Sequence, residues 1–434
     1  MNLKKDIIKI YKDALKAIDT FEILNKNVYL EKNKLYIQND IYDLKKYENI
    51  YVIGFGKASA RMAIALEHIL KDKIKSGLVI TKYGHSEKTK KIKILEGGHP
   101  LPDNNSLKAT EQLLNFLKQT KENDLVINLI SGGGSSLLVK PVNSITLSDK
   151  KQMTQILLDC GATINEINYL RKYVSEIKGG KLLNHINPAE SISLIISDVI
   201  NDNLEIIASG PTVPSKINKN ICKKIIEKYG IKKDLPLNII KYIFTKKDKE
   251  DVKQKIAKYK NYIIENNYTA LKGAYNSAKK LGYNPIILSS SIYGETKEIV
   301  KFHLAIAKEI ILTHNPVATP ACILSGGETT VTKKGKGKGG RNQEFVLAAL
   351  IELLQNPLPI AIASIATDGT DGPTDAAGAI IDNSIFQKIK SLKLEPEKYL
   401  LKNDSYNFFK KTNNLIFTGP TGTNVMDLHI ILVE

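Results

Sequence analysis

Short β-branched apolar runs that stop abruptly at glycine, serine or acidic residues set the pattern of this chain. The clearest is Leu125–Ile130, which passes into Ser131-Gly132-Gly133-Gly134-Ser135-Ser136. Runs of this kind predict short buried strands. Tyr51–Ile53 passes likewise into Gly54-Phe55-Gly56-Lys57-Ala58-Ser59, and Ile192–Ile196 into Ser197-Asp198. Ala321–Leu324 passes into Ser325-Gly326-Gly327-Glu328, and Ala361–Ala366 into Thr367-Asp368-Gly369-Thr370-Asp371. Between such runs the apolar spacing turns helical. Ile7, Ile8, Tyr11, Leu15 and Ile18 predict an amphipathic helix in the first 22 residues. Further helices are expected from Ser59 through Leu70, over Ser148–Cys160, Ile164–Ser175, Gly294–Thr313 and Glu344–Leu354, and a hairpin over Val28–Ile37. Strands alternating with helices indicate an α/β protein. In open α/β sheets ligands bind beyond the carboxyl ends of the strands, so these polar strand ends predict one site assembled from many loops.

Length and composition narrow the picture. At 434 residues, two domains are expected. With 42% apolar and 25% charged residues the chain is globular, and its net charge of +18 raises nucleic acid or an anionic substrate as a partner. The lysines are spread along surface helices with no basic stripe interleaved with aromatics, which argues against nucleic acid. Cys160, Cys222 and Cys322 lie far apart, so neither a zinc site nor a disulfide framework is expected. No apolar run reaches the roughly 20 residues of a membrane span, and no leader with an apolar core opens the chain; a cytoplasmic protein with no membrane partner is expected. Residues 215–258 are lysine-rich and read as exposed helices. Lys333–Gln343, which alternates glycine and lysine, reads as a mobile cationic loop able to close over an anion.

The strand ends carry the candidate chemistry. Gly56-Lys57-Ala58 is no Walker A loop, because the upstream glycine and the following Ser/Thr are missing. It partly matches a dinucleotide fingerprint, but the next strand ends Ile80-Thr81-Lys82-Tyr83 without the acid that a ribose requires. A turn that delivers one cation, Lys57, remains. Ser131, Gly132, Gly133, Gly134, Ser135 and Ser136 could present amides to an anion at a helix start, or form only a tight turn. Ser325, Gly326 and Gly327 echo that sequence. His99 reads more readily as structural than as a base. Arg341 has a planar fork suited to phosphate. Asp198, Glu328, Asp368 and Asp371 are candidates to hold Mg²⁺ or accept a proton. Cationic loops, backbone amides and carboxylates, without a histidine base or a thiol, form the toolkit of phosphoryl transfer.

Together Gly54–Ser59, Gly97–Asp103, Leu129–Leu138, Arg171–Lys181, Ser197–Val199 with Ala208–Pro214, Leu324–Glu344, Thr367–Ala379, Asn403–Tyr406 and Thr418–Val425 resemble the glycerate 2-kinase family, whose C-terminal portion is the MOFRL domain. The resemblance spans nearly the whole chain in the family's order. It implies two lobes, each a largely parallel sheet flanked by helices: a Rossmann-like domain over 1–240 and a C-terminal α/β domain over 241–434, with the MOFRL region at about 316–430. It implies an active site in the cleft between lobes, with ATP and a divalent cation such as Mg²⁺ as cofactors. The implied reaction is phosphorylation of D-glycerate at the 2-hydroxyl, and a homodimer is entertained as the assembly. The family's catalytic lysine and arginine fall on Lys57 and Arg341. Ser131–Ser136 would then cradle the glycerate carboxylate or a nucleotide phosphate. The rival readings are an NAD(P)H-dependent hydroxypyruvate reductase and a non-catalytic phosphosugar-binding protein.

Overall fold

The computed structural model describes residues 2–245 and 258–434. Part of the lysine-rich stretch expected as exposed helices, residues 246–257, lies outside the described residues. The strands in chain order are β1 Val28–Glu31, β2 Lys34–Ile37, β3 Asp40–Asp43, β4 Asn49–Phe55, β5 Ile74–Lys82, β6 Ile92–Gly97, β7 Asp124–Ile130, β8 Glu190–Ile196, β9 Tyr259–Glu265, β10 Asn284–Ile292, β11 Ala321–Gly327, β12 Ile360–Ala366, β13 Gly378–Ile381, β14 Leu415–Ile416 and β15 Asp427–Val433.

The chain folds into two compact units. The N-terminal unit holds Ile23–Ser197 and Asp202–Ile264; the C-terminal unit holds Met1–Glu22, Asp198–Asn201 and Glu265–Glu434. The chain therefore visits the C-terminal unit twice before residue 240, and a division into two continuous segments at that point does not describe the contacts. The helix Leu3–Ala17 explains the first visit. Its apolar stripe, including Ile7, Ile10, Tyr11 and Ala14, is buried. Ser277 Oγ donates to Asp13 Oδ2 at 2.7 Å and Tyr283 OH to Asp6 Oδ2 at 2.8 Å. Amphipathic periodicity reveals that a helix buries one face, but not which sheet receives it.

The sheet of the N-terminal unit runs β6-β5-β4-β7-β8-β9. The β4–β5, β4–β7, β5–β6 and β7–β8 ladders are all parallel. Renumbered from β4, this order is 3-2-1-4-5-6, that of doubly wound dinucleotide-binding sheets. Order reverses between β4 and β7, where a crevice opens beyond the strand ends. The two loops flanking that switch point are Gly56–Ala58 and Ser131–Gly133. The hairpin at Val28–Ile37 forms as expected, Val28 opposite Ile37, and gains β3 as a third strand. The helices Lys219–Lys228 and Leu237–Thr245 are not merely exposed. Cys222, Ile225, Ile226, Ile239 and Ile243 are buried in one cluster with Met153, Leu157, Ile167 and Leu170.

The C-terminal sheet runs β10-β11-β15-β12-β13-β14. It departs from the expected parallel arrangement. Only β10–β11 is parallel; β15 inserts antiparallel between β11 and β12, and β12–β13 and β13–β14 are antiparallel too. Strands buried on both faces read as unbroken apolar runs whichever way they point, so the sequence pattern carries no strand direction. One face of this sheet meets the helices Thr296–Thr313 and Arg341–Gln355 through Val300, Ile310, Phe345, Leu350, Ile362 and Ile431.

Candidate active site

In the N-terminal unit β4 ends at Phe55, and the helix Ser59–Leu70 starts four residues later. The intervening turn is bolted to the loop after β7. Lys57 N donates to Gly132 O at 2.8 Å, and Ala58 N to Ser131 Oγ at 3.0 Å. Gly133 adopts φ +80°, and a Cβ there would stand 2.8 Å from His99 Cδ2 and 3.3 Å from Lys57 Cγ. Only glycine lets these two side chains approach the loop so closely. The structure thus brings Lys57, His99 and the triple glycine together at the switch point.

The serine loop is less open to a ligand than its sequence suggests. The helix it starts, Gly134–Leu137, is a single turn, so little macrodipole stands behind it. Gly134 N donates to Ser131 O and Ser136 N to Gly133 O. Ser131 is fully buried and accepts from Ala58. Ser136 Oγ turns back to Gly133 O at 3.1 Å, and Ser135 Oγ meets Ser209 Oγ at 2.8 Å. These hydroxyls shape the loop rather than offer themselves to an anion. Ser325 is likewise inward: fully buried, it meets His303 Nε2 at 2.7 Å. Gly326 faces Asn267, whose Nδ2 donates to Val425 O at 2.8 Å and Asp427 O at 2.9 Å. Gly327 pairs with Asp427 across the β11–β15 ladder.

In the C-terminal unit Arg341 is the first residue of the helix Arg341–Gln355. Its Nε and Nη2 donate to Asp427 Oδ2 and Oδ1 at 2.5 and 3.1 Å, and its Nη1 to Glu328 Oε1 at 2.8 Å. Three of five guanidinium N–H groups are thereby used, leaving two for a ligand. Burial alone would lower the Arg341 pKa; the charges of Asp427 and Glu328 reverse this and hold it above the usual arginine value. Asp427 opens β15 and is fully buried. Its Oδ1 also accepts Asn342 Nδ2 at 2.9 Å; Asn342 Oδ1 accepts Ser364 Oγ, and Ser364 Oγ meets His429 Nδ1 at 2.8 Å. Burial and the charges of His303 and Arg341 keep the His429 pKa well down, so a neutral imidazole closes the chain of contacts. Asp427 and this network escape a reading by motif, because a lone acid before an apolar run carries no spacing signal.

Asp371 takes a different part from the one expected. Its buried carboxylate accepts the amides of Asn342 and Gln343 at 3.1 and 2.9 Å and both of their side-chain amides. It therefore caps the helix that carries Arg341, and both oxygens are spent on that task. Burial pushes its carboxyl up to about 6, against those donors. The Gly-Lys stretch is no free loop either. Lys334 N and Gly335 N both donate to Asn403 Oδ1 at 2.8 Å, and Gly337 N to Lys402 O at 2.9 Å. Lys338 N donates to Asp404 Oδ1 at 2.9 Å, and its Nζ lies 4.2 Å from the Tyr406 ring centre. The glycines serve close approach of two backbones, not mobility.

Asp198 follows β8, and its Oδ2 accepts Asn424 Nδ2 at 3.3 Å. Asp368 follows β12, is half-buried, and accepts Thr370 N at 3.0 Å. Among the described residues no three His, Cys, Asp or Glu side chains form a metal cage. Asp198, Glu328 and Asp368 are still hard oxygen donors of the kind Mg²⁺ takes one or two at a time, with substrate phosphates completing its shell. Among the described residues, no helix is long and apolar enough to cross a membrane.

Comparison with known proteins fits this arrangement. A family model described as a domain of unknown function, DUF4147, matches residues 6–244, and the MOFRL family model matches 321–427. A glycerate 2-kinase of Pyrococcus horikoshii is 39% identical, covering 100% of this chain and 98% of its own length. A protein of Agrobacterium vitis named putative hydroxypyruvate reductase is 41% identical over 88% of this chain and 86% of its own. The crystal structure of a glycerate kinase from Thermotoga maritima matches with a TM-score of 0.85 at 38% identity, covering 99% of each chain. With both family models matched and relatives that span its whole length, the chain belongs to the glycerate 2-kinase family.

Proposed function

We propose that this protein phosphorylates D-glycerate at the 2-hydroxyl, with ATP as donor, giving 2-phosphoglycerate and ADP. The observation that carries the reading is the Arg341 clamp. A guanidinium held by Asp427 and Glu328, with two donors left over, is a pre-oriented cation of the kind phosphoryl transfer needs. In that reaction charge spreads over the equatorial oxygens of the γ-phosphoryl, and catalysis is mostly positioning and neutralisation. Lys57, at the switch point of a parallel sheet, is the second cation. The proposal assigns both to the transferred group. Mg²⁺, when bound, would offset charge on the ATP phosphates; Asp198, Glu328 and Asp368 are the residues proposed to hold it or to accept the proton of the 2-hydroxyl. The names of the relatives support glycerate as acceptor. The strand β5 ends at Lys82 with no acid to hold a nicotinamide ribose, which counts against the reductase reading.

Incubating the full chain with ATP, Mg²⁺ and D-glycerate, and reading the product by phosphorus–proton NMR, tests this. The expected result is ADP in step with a phosphate on carbon 2. Oxidation of NADH by hydroxypyruvate without any ADP formation would replace the kinase with the reductase. Phosphosugar binding with no turnover of either kind would leave a non-catalytic binding protein.

A further inference from the structure

Beneath Arg341 the C-terminal unit carries a buried polar layer in which each proton has one direction open to it. Asp427 and His429 stand two residues apart on β15, so their side chains share a face of the sheet. In the strand register His429 lies between Ser325 of β11 and Ser364 of β12. Asn342, the residue after Arg341 on the helix Arg341–Gln355, reaches into the same layer. Asn342, Ser364, Asp427 and His429 are each 1% exposed or less, so they orient one another rather than being oriented by solvent.

The order of donors follows from counting protons. Asn342 Nδ2 lies 2.9 Å from Asp427 Oδ1 and 3.3 Å from Asp371 Oδ1. Both carboxylates accept, so the side of the amide that faces them is its NH₂. Asn342 Oδ1 then needs a donor, and Ser364 Oγ supplies one at 2.5 Å. A hydroxyl has a single proton, so at its 2.8 Å contact with His429 Nδ1 the serine accepts and the imidazole donates. Burial, then the charges of His303 and Arg341, keeps that ring neutral. His429 therefore carries its one proton on Nδ1, and its buried Nε2, which has no hydrogen-bond partner, is a bare lone pair. Phe345 stacks on the ring at 4.3 Å between centroids, and His303 meets it edge-to-face at 5.9 Å. His303 does not compete for Ser364: its Nδ1 donates to Ile299 O at 2.9 Å and its Nε2 accepts Ser325 Oγ at 2.7 Å.

We propose that Ser364 and His429 are positioning residues for Arg341, acting through a one-way chain from His429 Nδ1–H to Ser364 Oγ, from Ser364 O–H to Asn342 Oδ1, and from Asn342 N–H to Asp427. The chain fixes which way round the Asn342 amide sits. A flipped amide would set its oxygen against Asp427 Oδ1, the atom that also accepts Arg341 Nη2 at 3.1 Å, and would push the carboxylate off the guanidinium. In a dry core such bonds are strong when every group is matched and costly when one is left over, so one orientation prevails. The effect on turnover rests on the reading of Arg341 as a phosphoryl-binding cation; the donor order does not.

Two measurements on the full chain test it. The first is long-range proton–nitrogen NMR of protein labelled with nitrogen-15 at histidine, which reads tautomers directly. Wild type is expected to show His303 and His429 as neutral imidazoles protonated at Nδ1; His429→Gln removes one of these signals, and Ser364→Ala shifts that same one. Protonation of His429 at Nε2 overturns the chain. The second is kcat for ATP-dependent glycerate phosphorylation, at a temperature where melting curves show each variant folded. Ser364→Ala is expected to lower kcat about tenfold with the KM for glycerate unchanged, but by less than about twofold once Asp427→Asn has already loosened the clamp. An equal loss in both backgrounds, or no loss in either, makes Ser364 a structural residue and overturns its positioning part. Absence of glycerate-dependent ADP formation in wild type would instead sink the kinase reading, and the His429 tautomer alone would then decide the donor order.

Discussion

At the scale of single residues, the proposed reaction depends on what holds Arg341. Asp427 grips two of its nitrogens and is itself fixed by Asn342, so it acts through the guanidinium as a positioning residue. Asp427→Asn keeps the shape but loses the charge and one of the two acceptors. It is expected to lower kcat about 100-fold, the usual size for a group displaced by an ångström, with little change in the KM for glycerate. Steady-state kinetics checks this; a raised KM with kcat intact would make Asp427 a binding residue instead. Lys57 and Arg341 stand out in the sequence as candidates, because glycine turns mark where a cation can be delivered; their part in the reaction is the proposal. Asp427 does not, since its meaning depends on pairing with Gly327 across strands distant in sequence. The part each serine hydroxyl takes is hidden for a related reason. A hydroxyl in a tight loop bonds its own backbone as readily as a ligand, and Ser136 does so.

At the scale of elements, buried acids at strand and helix ends trade stability for position. Asp371 caps the helix of Arg341, and Glu265 closes β9. Glu265 is 1% exposed; its Oε1 accepts Thr423 Oγ1 at 2.8 Å, and its Oε2 has no partner. Burial pushes its carboxyl up to about 8, against that hydrogen bond. The folded state therefore keeps a proton that the unfolded chain gives up near its ordinary value of 4.5. The contribution to stability is full below that value and falls as pH rises toward 8. Glu265→Gln should match wild type near pH 4.5 and melt higher at pH 8.5, by on the order of 5 °C. Thermal denaturation at both pH values checks it; an equal difference at the two would contradict the burial argument. Element positions were readable from the sequence, including the helices Ile164–Tyr173 and Thr296–Thr313. The anchoring of the Gly-Lys stretch was not, because glycine spacing does not separate a mobile loop from one pressed against another backbone.

At the scale of the whole molecule the chain forms two α/β units, with Lys57 in the one built on the parallel sheet and Arg341 in the one built on the mixed sheet. The alternation of strands and helices made the class plain. The N-terminal helix's place in the C-terminal unit and the reversed strands around β15 depend on contacts between distant segments, which local periodicity does not encode. The claim that both cations serve one transferred phosphoryl group is tested most directly by kcat for ATP-dependent glycerate phosphorylation in Lys57→Met, Arg341→Met and the double variant. Each single change is expected to lower kcat by about 10²–10³, and the double by much less than the product of the two, as for residues that act as a unit. Near-wild-type turnover in either single variant, with folding intact, would contradict the account.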